Sequence, residues 1–422
     1  MNIPKILIVS NQCLSKCTSN GRSLGSLLQG WPKCKIAQFC LNLEFPDLDL
    51  CDNYFCITDK DAVDSLFYNI STYNELKVKS DVQKSNKPTR SKNSLLMLVR
   101  EFIWRTNQWK KFGFNKWVNN FNPDIVLLQS GDSAFMLQIA RIISQNRKIP
   151  LLIYNTEGYY FFKKPWIRKH WLDFIFFPII RTLYRREFRK LIASASASLY
   201  LNCELRNDYD AEFGTFSDVI YTGSNFEFKP KVFNSTKPSF CYLGNLGLNR
   251  YKALIEIADA LNAINPTYSL DVYGNLRPGT EHVFDDVAAI SYHGLISYDE
   301  VQKVIRNSDI LFHAEVNEEQ WQEALRYGFS TKIADSISSG HNFMLYAPQN
   351  ISCSKYIIAS GAAWYVSEKK DLEPTLRTLM TDSSAREAVL SKAKEVASIN
   401  HNASRNAEKF QNWIRKYYNE SK

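Results

Sequence analysis

A chain of 422 residues exceeds one core of ordinary size, so two domains are expected. With 45% hydrophobic and 23% charged residues the composition excludes a disordered or collagen-like chain, and aromatics are high at 14%. The formal net charge of +9 is concentrated. Nine Lys or Arg stand against two acids between Tyr160 and Lys190, which implies a local negative partner.

In chain order, MNIPKILIVSNQ reads as a first β-strand, its apolar run being too short for a signal peptide. SNGRSLGSLL (19–28) follows as a flexible, glycine-rich loop that carries Arg22. It matches neither a Walker loop nor the dinucleotide fingerprint, which disfavours those enzyme classes. Strand-type runs recur at 35–41, 124–130, 150–156, 197–202, 239–244, 268–274, 309–315, 342–347 and 362–367. Helical patterns such as YKALIEIADALNAI (251–264) and YDEVQKVIRNSD (298–309) lie between them. This alternation predicts parallel sheets covered by helices on both faces. The polar stretch 226–238 is expected as a linker and 77–93 as a surface loop. The tail places Phe410, Trp413, Ile414 and Tyr417 on one helical face, expected to dock back on the first domain.

The nine cysteines are scattered without C-x-x-C, and the six histidines are dispersed, which fits free thiols and no metal cluster. No run of about 18 apolar residues occurs, so no spanning helix is expected.

Several stretches carry chemistry. In RYGFSTKIADSISSG (326–340) a helix opens at Ser330–Thr331 with Lys332 in its first turn, a place suited to a phosphate. Asp335, one turn on, is spaced to accept from the vicinal hydroxyls of a ribose. A capped surface helix accounts for the same residues. In YLGNLGLNRYKAL (242–254) a strand ends at Gly244, and Arg250 stands ready to clamp phosphate. A plain strand–helix turn is the alternative. In YNTEGYYF (154–161), Glu157 follows a strand and either positions an acceptor hydroxyl, acts as a base or caps a turn.

The stretch 161–190 interleaves aromatics with cations: Lys163, Lys164, Trp166, Arg168, Lys169, Trp171, Arg181, Arg185, Arg186, Arg189 and Lys190. A second such stretch, 95–117, carries Trp104, Trp109 and Trp117 with Arg100, Arg105, Lys110 and Lys111. Both read as a patch for an anionic membrane surface, with two core helices as the alternative. No nucleic-acid-binding module accompanies them.

The C-terminal half resembles glycosyltransferase family 4, the retaining enzymes of the GT-B fold. GFSTKIADSISSG is similar to the family's stretch of a Glu, seven residues and a second Glu. The match runs over Gly328, Phe329, Ser339 and Gly340, with Asp335 at the second acidic place and Tyr327 at the first. YLGNLGLNR resembles the family's strand–Gly–Arg segment, with Asn245 at the Arg place and Arg250 at the Lys place. IYTGSN (220–225) and YHGLISYDEVQKVIRNSDILF (292–312) resemble further family stretches, and SNGRSLGSLL looks like its N-terminal glycine loop, which implies that Asn20, Gly21 and Arg22 contact donor and acceptor.

The resemblance implies an α/β architecture of two Rossmann-like doubly wound domains facing a cleft, with the C-terminal helix crossing back. The division is 1–230 for an acceptor domain carrying the patch, 239–400 for a nucleotide-sugar domain, and 401–422 for the helix. It implies sugar transfer from a nucleotide-sugar to a hydroxyl of a glycan, lipid-linked, with retained configuration and no bound metal or cofactor. The expected place is cytoplasmic, peripheral on the inner face of the plasma membrane, in bacterial cell-surface polysaccharide synthesis. Arg250, Lys332 and Glu157 are the expected catalytic groups. Gly244, Asn245, Tyr327, Gly328, Phe329, Ser330, Thr331 and Asp335 are the expected donor site. A nucleotide-sugar epimerase of the same fold and a degenerate transferase-like scaffold are the rival readings, Tyr327 being the feature that favours the scaffold.

Overall fold

The computed structural model describes residues 3–16, 18–67, 93–165 and 171–422. The chain forms two compact units, residues 1–220 with 404–422, and residues 221–403.

In the first unit the elements run β1 (Ile6–Gln12), α1 (Ser19–Leu27), β2 (Ile36–Asn42), β3 (Tyr54–Cys56), α2 (Asp59–Phe67), α3 (Ser94–Arg105) and α4 (Phe114–Phe121). They continue as β4 (Ile125–Gln129), α5 (Ala134–Arg147), β5 (Leu151–Asn155), α6 (Asp173–Ser194), β6 (Ala197–Tyr200), α7 (Cys203–Phe213) and β7 (Asp218–Val219). The seven strands pair in the order β3-β2-β1-β4-β5-β6-β7, every pairing parallel. Runs such as Ile125–Gln129 and Leu151–Asn155 are buried throughout. That is what a parallel strand requires when helices cover both its faces. The strand order reverses direction between β1 and β4, the kind of place where open α/β sheets bind ligands beyond their strand C-termini.

The stretch 95–117 is core rather than membrane patch in its tryptophans. Trp104, Trp109 and Trp117 are buried. Trp104 stacks on Phe135 with ring centroids 4.6 Å apart, and Trp109 stacks on Phe39 at 5.4 Å. Arg100 reaches Asp59 and Ser133, and Arg105 reaches Glu101 and Glu187. The aromatic excess of the sequence therefore fills this interior.

The expected loop 19–28 is instead the helix α1. Gly21 sits in its first turn because a side chain there would come within 2.5 Å of the Cys13 carbonyl oxygen and 2.8 Å of the Ser15 nitrogen. Glycine here serves close packing of helix on loop rather than flexibility.

The second unit runs β8 (Phe240–Leu243), α8 (Arg250–Ile264), β9 (Leu270–Tyr273), β10 (Ile290–Gly294), α9 (Tyr298–Asn307), β11 (Ile310–Ala314), α10 (Glu319–Leu325) and α11 (Thr331–Ser339). After these come β12 (Asn342–Tyr346), α12 (Ser352–Ser360), β13 (Trp364–Val366), α13 (Leu372–Thr381) and α14 (Ser383–Asn400). Its parallel sheet has the order β10-β9-β8-β11-β12-β13, reversing between β8 and β11. Helix α9 opens with a reciprocal capping box between Ser297 and Glu300, satisfying two end groups of its first turn.

The segment 226–238 packs on this unit instead of spanning freely. Lys231 N donates to the Gly340 carbonyl at 3.1 Å, and the Lys231 ammonium pairs with the buried Asp309 at 3.2 Å. Gly340 has φ +81°, and any side chain on it would run into the Lys229 backbone. The Ser-Gly pair in the sequence thus marks a helix end that the incoming chain crosses.

The last helix, α15 (Ala403–Glu420), belongs almost wholly to the first unit. Phe410, Trp413 and Ile414 enter the core that Trp31, Ile125, Leu152 and Tyr154 build. Each such burial contributes roughly 1.5–3 kcal/mol. These facts make the two-unit α/β architecture of the GT-B class, with its returning terminal helix, the fold of this chain.

Candidate functional site

At the sheet edge of the second unit, Gly244 directly follows β8 and Gly274 directly follows β9. The two backbones run so close that a side chain on Gly274 would strike the Gly244 carbonyl. Gly244 N donates to the Tyr273 carbonyl at 3.0 Å, and Gly274 N to that of Gly294 at 2.9 Å. The Asn245 side chain accepts from Gly247 N at 2.7 Å, turning the loop toward α8.

Arg250 does not stand ready as a phosphate clamp. Its Nε and Nη2 donate to the two carboxylate oxygens of Glu315 at 2.6 and 2.8 Å, and its Nη1 to the carbonyls of Asn245 and Gly247 at 3.2 and 3.4 Å. Glu315 follows β11 directly and is buried, with His313 Nε2 3.2 Å from Oε1. Burial pushes this carboxyl up, but the Arg250 guanidinium and His313 outweigh it and hold it at about 2. Burial pulls Arg250 down, and Glu315 more than restores it. The pair straddles the place where strand order reverses and staples the glycine loop. Beside it, Glu318 accepts from Lys252 at 2.6 Å and from Asn249 at 3.0 Å.

Helix α11 forms as its sequence predicts. Ser330 is its N-cap, and the Ser330 hydroxyl accepts from Lys332 N at 3.3 Å. Ser330, Thr331, Lys332 and Gly328 are partly accessible. Tyr327 and Phe329 are buried: the Arg326 guanidinium covers the Tyr327 ring at 4.9 Å, and Phe329 packs on Tyr356 and His401. These two rings support the loop rather than face a donor. Asp335 is also turned inward, accepting from the Ser224 hydroxyl at 2.8 Å, so its carboxylate is not presented to a ribose. The helical periodicity that placed it one turn from Lys332 is right, but the incoming segment near Ser224 covers that turn.

In the first unit, Glu157 lies just beyond β5 and is partly buried. Among the described residues its carboxylate makes no hydrogen bond or ion pair. Burial alone pushes it up to about 7. Tyr159 beside it is raised well above the ordinary phenol, first by burial and then by Glu157. Such a carboxylate is a candidate acid or base near neutral pH. Asn20, Gly21 and Arg22 form the first turn of α1, where the Asn20 carbonyl accepts from Gln129 Nε2 at 3.2 Å.

The patch along α6 divides in two. Arg181 is 3% exposed, donating to the Tyr159 carbonyl at 3.1 Å and pairing with Asp132 at 3.9 Å, so it leaves the proposed surface. Arg185 likewise holds the carbonyls of Tyr160 and Phe162 at 3.0 and 2.9 Å. Arg186, Arg189, Lys190, Lys163 and Lys164 are exposed; Arg189 meets Glu212 at 3.7 Å and Lys190 meets Glu187 at 3.2 Å. Trp171 is 73% exposed and Phe174 89%, with Ile175 and Ile179 beside them. Trp166, Arg168 and Lys169 lie outside the described residues. Helices α3 and α6 start together, Ser94 N donating to Asp173 at 2.8 Å, and remain together to Arg105 and Glu187. Leu96, Val99 and Phe102 of α3 are exposed too. The surface is thus an apolar face with a basic margin. Among the described residues no helix is long and apolar enough to cross a membrane.

Two groups escape a reading of the sequence. Glu315 closes a strand as Glu157 does, which is a visible sign, but its pairing with Arg250 across 65 residues is not. Arg277 sits in a turn whose neighbours in space only the fold reveals.

No protein-family model and no curated protein matches the sequence. Solved structures match in fold. The chain is similar to WaaG, a glycosyltransferase involved in lipopolysaccharide biosynthesis, at 12% identity over 97% of this chain and 99% of that one, with a TM-score of 0.61. It is similar to Anabaena Alr3699/HepE in complex with UDP at 12% identity over 98% and 100%, with a TM-score of 0.63. It is also similar to a putative UDP-N-acetylglucosamine 2-epimerase from Listeria monocytogenes at 11% identity over 100% and 98%, with a TM-score of 0.55.

Proposed function

We propose that this chain is a glycosyltransferase that moves a hexosyl or related sugar from a nucleotide-sugar to a hydroxyl of a glycan acceptor. The observation that carries the reading is the likeness to WaaG and to UDP-bound HepE over 97–98% of the chain, both units included. The second unit takes the donor. Negative charge grows on the departing diphosphate, and Lys332 with the amides of Ser330 and Thr331 lowers that barrier. Arg250 supports this edge by stapling its glycine loop. The first unit takes the acceptor, whose hydroxyl Glu157 positions and whose proton it accepts. Retention of configuration, and the absence of any metal from the reaction, belong to the family resemblance.

The acceptor is lipid-linked, and the protein lies on the inner face of a bacterial plasma membrane, building a cell-surface polysaccharide. Supporting this are the exposed apolar side chains of α3 and α6 with exposed Lys163, Lys164 and Arg186 on the same unit. Aromatic and aliphatic groups enter the headgroup boundary while cations meet anionic lipids. A second copy of the chain related by two-fold symmetry would bring like charges together, so a bilayer is the better occupant.

An epimerase is the second reading, on the strength of the Listeria likeness. A thermal-shift screen of nucleotide-sugars, followed by product analysis with and without lipid-linked glycan, decides between them. Transfer that requires the glycan supports the proposal; isomerised or hydrolysed donor without it supports the epimerase. A protein that binds no nucleotide-sugar is neither.

A further inference from the structure

Two guanidinium groups flank Gly247. Arg250 lies at its carbonyl and is charge-balanced by the buried Glu315. Arg277, in the turn after β9, lies on the Cα side. A side chain on Gly247 would come within 2.6 Å of Arg277 Nε, 2.8 Å of Nη2 and 3.0 Å of Cζ. The Arg277 guanidinium therefore occupies a seat that glycine alone leaves open.

Its backbone is anchored as well. The Arg277 carbonyl accepts from Thr280 N at 3.0 Å and from the Thr280 hydroxyl at 2.8 Å, before the left-handed Gly279 closes the turn. The side chain is exposed. Among the described residues its guanidinium makes no hydrogen bond or ion pair. The guanidinium stands over Gly247 beyond the C-terminal edge of β8 and β9, where parallel sheets receive ligands, with its donors unused.

We infer that Arg277 is the anion clamp of the second unit: its guanidinium grips the phosphate oxygens of the donor's diphosphate, the part expected of Arg250. The inference rests on the nucleotide-sugar reading above. Five donors in a planar fork suit a pair of phosphate oxygens, which a lone ammonium such as Lys332 does not match. Gly247 is the positioning residue, acting through Arg277.

The test is calorimetric titration of the full chain with UDP, with GDP and with uridine. Arg277→Ala is expected to weaken diphosphate binding by about 10-fold or more, the scale of a lost charge-assisted pair, while leaving uridine binding as it was. Gly247→Ala keeps every charge but pushes the guanidinium aside, and is expected to give a loss of the same order. Gly247 is not in the left-handed region, so its backbone accepts alanine, and thermal melting of both variants should match the wild type. Wild-type diphosphate affinity in Arg277→Ala overturns the clamp, as does an equal deficit for uridine. Full affinity in Gly247→Ala overturns the seat. A wild-type chain that binds neither UDP nor GDP overturns the nucleotide-sugar reading and the clamp together.

Discussion

Replacing Glu157 by Gln keeps the shape of the side chain and removes its titration. The carboxyl rises from the ordinary 4.5 to about 7 because burial disfavours its charge. The sign follows from proton binding. Between pH 4.5 and 7 the unfolded chain has lost this proton while the folded chain keeps it, so folding stability falls as pH rises through that window and is constant above it. At about 1.4 kcal/mol per unit the full loss is at most about 3 kcal/mol, and residual solvent access reduces it to roughly 1–2 kcal/mol. Urea unfolding of wild type and Glu157→Gln at pH 4.5 and pH 8, followed by tryptophan fluorescence, measures it. Relative to wild type, the variant should gain roughly 1–2 kcal/mol on going from pH 4.5 to pH 8. On the proposed function, transfer activity should carry the same imprint: the base form goes from roughly a tenth at pH 6 to nine-tenths at pH 8. The wild-type rate should climb by close to 10-fold across that interval, and the variant should be slow and flat. Parallel stability differences at both pH values, or an unchanged rate profile, would refute the account of Glu157.

Glu315→Ala leaves the half-buried Arg250 guanidinium without its counter-charge, at a cost below the roughly 3–5 kcal/mol of a fully buried broken pair, read as a lower urea midpoint. The conservative Glu315→Gln should lose less; equal stability of all three proteins would show the staple to be idle. Phe174→Asp places a charge on the exposed apolar face and should cut co-sedimentation with phosphatidylglycerol-containing vesicles roughly 10-fold or more, with the melting temperature unchanged. Vesicle binding that survives the substitution but vanishes in high salt would assign the contact to the basic residues alone.

The sheets were legible because a parallel strand buried on both faces must be apolar nearly throughout, as ILIV, IVLL and LLIY are. Short edge strands were not. Tyr54–Cys56 and Asp218–Val219 are too brief to show a pattern, and Ile290–Gly294 is a partly exposed edge. The Ser330 cap and the helix after it were legible, because capping is local chemistry. What lay beyond reach was partner choice at long range. Nothing in the spacing of Arg250 says that Glu315 takes its fork, or that Ser224 takes Asp335. Gly21 and Gly247 illustrate the same limit. Each glycine suggests a flexible loop, yet each makes room for a neighbour distant in sequence or in another turn. The aromatic–basic stretches misled in part because Trp, Arg and Lys serve a core and a membrane surface equally well. Burial sorted Trp104 and Arg181 inward and Trp171 and Phe174 outward.

On the proposed function the second unit holds a nucleoside diphosphate at the edge of its sheet, with Lys332 in the first turn of α11. Calorimetric titration of wild type and Lys332→Ala with UDP and GDP tests this most directly. The wild type should bind at least one of them, with the variant weaker by about 10-fold and equally stable to heat. Indifference of the wild type to both diphosphates, or equal affinity in the two proteins, would contradict it.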